Sequence, residues 1–204
     1  MLKNLILSVL FVLTSLPLFA GEGMWLPFLL TQLNEQEMQS MGMKMSAEDI
    51  YSVNKGSLKD AIVHFGGGCT GEIISSTGLL LTNHHCGYSQ IQQHSSLENN
   101  YVDNGFWSKS MKEELSNPGL TATFIISMAD VTSDILKGIT SKSTPSEKQS
   151  IIDKNIDALS KSYPRQVYQD ILVKAFYKGN QYYLFVTETY KDVRLVAAPP
   201  ASIG

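Results

Sequence analysis

Three features that mark other classes of protein are missing from this sequence. Only two cysteines occur among its 204 residues and they form no Cys-x-x-Cys pair, which disfavours the usual structural zinc sites. The net charge of −3 and the lack of any block of like charges argue against a nucleic-acid-binding surface or a polybasic membrane anchor. Neither Gly-x-Ser-x-Gly nor Gly-Asp-Ser-Gly occurs, so no serine nucleophile is recognisable.

The N-terminus has the pattern of a secretory signal peptide. Lys3 supplies a positive charge, Leu5–Leu16 form an apolar stretch, and Ala20 precedes Gly21 at the expected cleavage site. The apolar run is short for a membrane-spanning helix of about 20 residues, and no second run of that length follows. We therefore expect a protein that is exported to the periplasm or the extracellular space and has no membrane contact after cleavage. An uncleaved anchor helix is the alternative.

Export changes the interpretation of the two cysteines. Exported cysteine pairs usually oxidise, and a bridge between Cys69 and Cys86 would close a short loop that stabilises the fold by about 3 kcal/mol. A metal site built from these cysteines and nearby histidines is the alternative. Adjacent His84 and His85 on an extended segment would point to opposite faces and could not both bind one ion. The sequence therefore predicts a disulfide, with no metal and no other cofactor.

Hydrophobic periodicity predicts a mainly β fold with helical additions. The predicted strands are residues 61–65, 71–76, 79–83, 121–128, 168–177, 181–190 and 193–198. Helices are expected over 28–41, from Ser46 onward, over 87–94 and over 144–162, with a surface connection at 101–119. Four methionines are expected to fill gaps in the core: Met38, Met41, Met43 and Met45. The expected domains are a signal peptide (1–20), an N-terminal helical segment (21–58) and a partial β-barrel (59–204) with a helical insertion near 144–163.

The segment that carries the clearest chemistry is Thr82-Asn83-His84-His85-Cys86, which follows an apolar strand. It resembles the way a chymotrypsin-type barrel presents its general base, with a half-cystine directly behind the histidine. Histidine suits that task because its unperturbed pKa is about 6.5. We predict that His85 is the base, and a purely structural His85 is the alternative. The other histidines, His64, His84 and His94, are expected to be structural or on the surface.

The carboxylate that would orient this base is harder to assign. Asp130 ends a predicted strand, and Asp192 precedes the apolar strand 193–198. Asp130 lies at a sequence distance from His85 that suits a small trypsin-like barrel, and Asp192 has the pattern of an acid followed by an apolar strand. For both residues a solvated acid in a loop is the favoured interpretation.

The chain resembles the bacterial dipeptidyl-peptidases of the 7 and 11 group, which are related to chymotrypsin. The matching segments are residues 23–26, 49–52, 57–61, 65–87, 103–107, 117–120 and 192–204. The resemblance implies an exported serine exopeptidase that removes dipeptides from the free amino termini of oligopeptides, with His85 as its base. It further implies a chymotrypsin-like double β-barrel capped by a helical domain, and a homodimer.

The resemblance also implies that catalytic parts lie beyond Gly204. In the family, the residues that hold the substrate's amino terminus, the triad acid and the serine all follow that point. Asp130 and Asp192 are then not the acid, and the preference for acidic or hydrophobic substrates cannot be assigned. We expect an N-terminal fragment with an incomplete N-terminal barrel that is inactive alone. The alternatives are an exported, non-catalytic peptide-binding module and a compact trypsin-like endopeptidase using Asp130.

Overall fold

The computed structural model describes residues 25–52 and 55–204, which divide into two compact units between Lys44 and Met45. The predicted signal peptide lies outside the described residues. In the first unit a 3-10 turn at Pro27–Leu29 is followed by helices α1 (Leu30–Leu33) and α2 (Glu35–Ser40). The single helix expected over 28–41 is therefore broken. The break falls at the buried residue Asn34, whose φ of −132° lies outside the helical region.

The methionine prediction is wrong for two of the four residues. Met41 is 74% exposed and Met45 is 41% exposed, so neither fills a gap in the core of this structure. The spacing of apolar residues indicated a helical face but carried no information on what covers that face.

The second unit contains five helices and ten strands in its described part. The helices are α3 (Ala47–Ile50), α4 (His84–His94), α5 (Tyr101–Asn104), α6 (Thr132–Ile135) and α7 (Pro145–Ser162). The strands are β1 (Ile62–Phe65), β2 (Cys69–Ile73), β3 (Leu80–Thr82), β4 (Phe106–Trp107), β5 (Leu115–Ser116), β6 (Ala122–Asp130), β7 (Gln169–Phe176), β8 (Gln181–Tyr190), β9 (Arg194–Leu195) and β10 (Ala197–Ala198). A 3-10 turn at Leu58–Ala61 leads into β1.

Six of these strands form one antiparallel sheet in the order β3-β2-β1-β6-β8-β7. The sheet is open among the described residues, with β3 and β7 at its two edges. The prediction of a mainly β fold with helices is confirmed, and no closed barrel is present in the described part of the chain. Two short ladders, β4 with β10 and β5 with β9, lie outside this sheet.

Turn residues explain how the long strands are joined. Gly66 and Gly67 both have positive φ, at +58° and +85°, and form the tight turn between β1 and β2. Tyr177 and Lys178 also adopt positive φ in the 3-10 turn between β7 and β8, where the sequence predicted a hairpin.

The core of the second unit lies between one face of the sheet and two helices. Val131, Ile135, Tyr182, Leu184 and Val186 form its buried cluster. Half-buried apolar residues of α7 pack against this cluster, namely Ile152, Ile156 and Leu159. Helix α7 therefore covers the face of the sheet that carries this cluster. Within residues 25–52 and 55–204, no helix is both long enough and apolar enough to cross a membrane.

Candidate functional site

The predicted base lies in the first turn of helix α4, immediately after strand β3. Asn83 is the N-cap residue of this helix, and its carbonyl oxygen accepts a hydrogen bond of 2.9 Å from the amide of Cys86. The expectation that His84 and His85 occupy an extended segment is therefore wrong. Because consecutive residues of an α-helix are rotated by about 100°, the two imidazoles still leave the backbone in different directions.

A disulfide holds the start of α4 against the sheet. Cys69, the first residue of β2, is bonded to Cys86 in α4, with their Cα atoms 6.1 Å apart. The predicted disulfide is present. It joins the turn that carries His85 to a strand whose neighbours fix its position, which is the kind of rigid mount that acid–base chemistry requires.

The same residues form the one compact cluster of possible metal ligands in the described part of the chain. A ring nitrogen of His85 and the sulfurs of Cys69 and Cys86 all lie within 4.8 Å of one another. Metal binding by cysteine requires a thiolate, and both sulfurs are used in the S–S bond. The cluster in this oxidised form offers an ion one imidazole, which is fewer donors than a zinc site needs.

His85 is exposed and its imidazole has no hydrogen-bond partner among residues 25–52 and 55–204. The ring therefore lies beside the disulfide, with one of its nitrogens within 4.8 Å of both sulfurs, and no hydrogen bond from the described residues occupies it. An accessible neutral imidazole on a fixed backbone is suited to accept a proton from a hydroxyl and to return it to a leaving amine.

The other histidines have different surroundings. His64 is exposed on β1, opposite Thr70 and Thr123 in the ladder. His94 ends α4 and its Nε2 lies 3.0 Å from Oδ1 of the buried residue Asn117. His84 is half-buried and its ring packs edge-on against Tyr88, with the ring centroids 5.8 Å apart.

The carboxylates of Asp130 and Asp192, the two candidates for the triad acid, accept hydrogen bonds from residues other than His85. Asp130 accepts a hydrogen bond of 2.9 Å from the amide of Thr132, and the side-chain and backbone bonds from that residue lower the pKa of its carboxyl group. Asp192 accepts bonds of 2.9 and 2.7 Å from the guanidinium of Arg194, which lower its pKa in the same way. Neither carboxylate orients the imidazole of His85 in this structure.

Comparison with known proteins identifies the family. The sequence profile of the family Peptidase S46 matches residues 20–204. The chain belongs to the peptidase S46 family. The Asp/Glu-specific dipeptidyl-peptidase of Capnocytophaga gingivalis is 59% identical over 182 residues, which make up 89% of this chain and 26% of that protein. The dipeptidyl-peptidase 7 of Phocaeicola vulgatus is 46% identical over 207 residues, covering 98% of this chain and 29% of that protein.

Solved structures of this family share the fold. The crystal structure of Porphyromonas endodontalis DPP11 matches with a TM-score of 0.79 at 46% identity, over 89% of this chain and 26% of that chain. The complex of the same protein with the dipeptide Arg-Glu matches with a TM-score of 0.74, also at 46% identity, over 89% of this chain and 28% of that chain. The chain thus spans about a quarter of the length of the relatives that it matches.

Proposed function

We propose that the protein carrying this chain is a serine-type dipeptidyl-peptidase, and that His85 is its general base. The observation that carries the proposal is the exposed imidazole of His85, placed by strand β3 and fixed by the Cys69–Cys86 disulfide. Support also comes from relatives that are named dipeptidyl-peptidases and are up to 59% identical to this chain. The substrates are oligopeptides with a free amino terminus.

In the proposed reaction His85 works in two steps. Its neutral ring first removes the proton from a serine hydroxyl as the oxygen attacks the scissile carbonyl, and the resulting imidazolium then gives that proton to the leaving amine. A water molecule next attacks the acyl-enzyme as the same ring removes its proton, and the imidazolium returns that proton to the serine oxygen as the acyl–oxygen bond breaks and the dipeptide leaves. The chain matches about a quarter of the length of its relatives, and the family resemblance implies that the serine and the carboxylate that orients the ring belong to the remaining part of the enzyme.

The test is the release of dipeptides by the complete gene product. We expect hydrolysis of peptides with a free amino terminus and none of the same peptides after acetylation. His85→Ala should lower kcat/KM by about three orders of magnitude or more, because the reaction then lacks its base. His64→Ala is the matched control, since it removes an exposed histidine from β1 and should leave kcat/KM within about twofold.

The outcomes separate the proposal from its alternatives. Full activity of His85→Ala would refute the assignment of the base. A wild-type protein that binds peptides without cleaving them would instead support the non-catalytic module, and cleavage of acetylated peptides would support an endopeptidase.

Within this class we propose a preference for Asp or Glu at the second residue of the substrate. Three organisms have both an Asp/Glu-specific dipeptidyl-peptidase and a dipeptidyl-peptidase 7 that match this chain. The identities are 59% against 39% in Capnocytophaga gingivalis, 47% against 38% in Porphyromonas endodontalis and 44% against 40% in Porphyromonas gingivalis. Comparing two proteins of one organism removes the distance between species, and the Asp/Glu-specific protein is the more similar one each time.

The preference is measured with peptides that differ only at their second residue. We expect kcat/KM for Asp or Glu at that position to exceed the value for Leu or Met by at least tenfold. A higher value for Leu or Met would reject the acidic preference and leave the dipeptidyl-peptidase proposal intact.

We also propose that the protein is exported and forms a homodimer. The Cys69–Cys86 disulfide supports export, because such bonds persist in oxidising compartments. The dimer rests on the family resemblance alone. Cell fractionation tests the first statement, with a cytosolic protein as the result against it. Light scattering of the purified gene product tests the second, with a monomeric mass as the result against it.

A further inference from the structure

The last part of the chain follows helix α4 back towards His85. We call residues 193–204 the return segment. At its start the carbonyl oxygen of Val193 accepts a bond of 3.0 Å from the amide of Asn117, and Asn117 in turn contacts His94 at the C-terminal end of α4. At its other end the return segment lies against His84, at the N-terminal end of the same helix. The segment therefore spans the length of the helix that carries the proposed base.

Backbone hydrogen bonds hold the return segment in this path. Strand β9 pairs with β5, and strand β10 pairs with β4. Between these two ladders the amide of Ser108 donates to the carbonyl of Val196 at 2.9 Å, and after them the amide of Ala201 donates to the carbonyl of Val102 at 2.8 Å. These four connections, together with the Val193–Asn117 bond, restrict the path of the return segment as far as Ala201.

Gly204 packs against the ring of His84. A Cβ atom added to Gly204 would lie 2.6 Å from Cδ2 and 2.7 Å from Cγ of that imidazole, distances that real side chains do not show. The backbone of Gly204 thus packs directly on the ring, and glycine permits this approach because it has no Cβ.

The ring of His84 is held on a second side as well. Tyr88, one turn further along α4, contacts it edge-on at 5.8 Å between centroids. Its Nε2 atom is buried and has no hydrogen-bond partner in the described part of the chain. The contacts that the structure does show for this imidazole are packing contacts, with Tyr88 and with Gly204.

We propose that His84 is a positioning residue for the proposed base. Its ring, packed between Tyr88 and Gly204, fixes the first turn of α4 and so the direction in which the neighbouring His85 leaves the backbone. The same contact holds Gly204 against the first turn of α4. This inference rests on the proposed function, and its effect on catalysis passes through His85, not through contact with the substrate.

A double-mutant cycle in the complete gene product tests the contact. Gly204→Ala should lower kcat/KM for dipeptide release by about 10- to 100-fold, because small displacements of a catalytic group cost that much. Gly68→Ala is the matched control, since a Cβ there meets no atom within 4 Å, and it should have no such effect. Combining Gly204→Ala with His84→Ala should cost no more than His84→Ala alone, because the added methyl group then has no ring to strike.

A shape-conserving variant separates positioning from general destabilisation. His84→Phe keeps a ring of similar size and should retain kcat/KM within about threefold of the wild type, while His84→Ala loses about tenfold or more per folded molecule. Multiplicative losses in the double variant, or a loss in His84→Phe as large as in His84→Ala, would overturn the proposal. The first outcome shows that the two residues are not coupled, and the second shows that the imidazole acts as a polar group.

A second readout keeps this inference distinct from the proposed activity. The same four-variant cycle is measured on Tm, which requires no substrate, and we expect non-additive shifts for Gly204→Ala and His84→Ala. Coupling in Tm together with a wild type that releases no dipeptides would reject the proposed function and, with it, the role of His84 in positioning a catalytic base, while the packing contact would stand. Additive shifts in Tm would reject the packing contact itself, whatever the activity.

Discussion

At the scale of single residues, the close approach of strands β2 and β3 depends on Gly71. This glycine is buried, and a Cβ atom built on it would lie 2.7 Å from Cδ2 of Leu80 and 2.9 Å from the carbonyl oxygen of Leu81. Leu80 and Leu81 belong to the strand that leads directly to His85. A side chain at position 71 would therefore push away the strand that positions the proposed base.

We predict that Gly71→Ala destabilises the protein by about 1–3 kcal/mol, the usual cost of forcing an extra methyl group into a packed site. Chemical denaturation gives the value directly. Gly87→Ala serves as the control, since a Cβ there meets nothing within 4 Å and the residue lies within a helix, where alanine is favoured. Equal stability of the two variants would show that β2 and β3 do not approach as closely as described.

The residues of the site differ in how far the sequence predicts them. His85 could be singled out because a strand, a histidine and a half-cystine follow one another in the chain, and the Cys69–Cys86 disulfide followed from expected export. The contact of His84 with Gly204 could not be predicted, because it joins residues that are far apart in sequence and depends on the path of the return segment. Local patterns carry no information on such a contact.

At the scale of secondary-structure elements, the start of helix α7 is fixed by a capping box between Thr144 and Glu147. Thr144 accepts a hydrogen bond from the amide of Glu147, and the carboxylate of Glu147 accepts bonds of 2.8 and 3.0 Å from the amide and hydroxyl of Thr144. Pro145 at the first position adds a fixed φ that suits a helix. This capping box explains why the start of α7 was predictable from the sequence to within one residue.

We predict that Thr144→Ala lowers the free energy of unfolding by about 1 kcal/mol, as the loss of an N-cap does. Ser150→Ala, at an exposed position within the same helix, is the control and should change stability little. Thermal unfolding of both variants measures the effect. A Thr144→Ala protein as stable as the control would mean that the cap is not formed in solution.

The same cap predicts a pH dependence. Hydrogen bonds from the Thr144 amide and hydroxyl lower the pKa of Glu147 in the folded protein below its ordinary value. Its contribution to stability is therefore complete above the ordinary carboxyl pKa and is lost as the pH falls through the lowered one. The difference in Tm between wild type and Thr144→Ala should shrink on going from about pH 6 to about pH 3. A difference that grows in acid would contradict this linkage.

Other elements show where local patterns are insufficient. Strand β6 was expected at 121–128 and runs over Ala122–Asp130, since apolar alternation defines a long strand well. Helix α4 was expected over 87–94 and begins at His84, where the amide of Cys86 donates to the carbonyl oxygen of Asn83 and adds a first turn next to the strand. One strand was expected over 193–198, and the structure has two short strands there, β9 and β10. They pair with β5 and β4, which lie in the region 101–119 that was expected to be a surface connection.

At the scale of the whole molecule, one covalent bond joins the sheet to the helix that carries the proposed base. The Cys69–Cys86 disulfide spans 17 positions in sequence and links β2, an interior strand of the sheet, to α4. Apart from the disulfide, α4 is attached to the sheet through the short strand β3, which precedes it in the chain and lies at the edge of the sheet. Edge strands lack one set of ladder partners, so we expect the disulfide to limit how far the start of α4 can move.

We predict that the double variant Cys69→Ser/Cys86→Ser is less stable than the wild type by about 3 kcal/mol, the value expected for a loop of this length. Chemical denaturation measures the loss, and the variant should also show a lower kcat because His85 has a less rigid mount. Reduction of the wild type is a second test, and the double variant treated with the same reductant controls for the effect of reduction elsewhere in the gene product. Reduced wild type should match the double variant under the same reducing conditions. If reduction alters neither the stability nor the kcat of the wild type, the position of His85 is maintained by the β2–β3 ladder and the His84 packing without the disulfide.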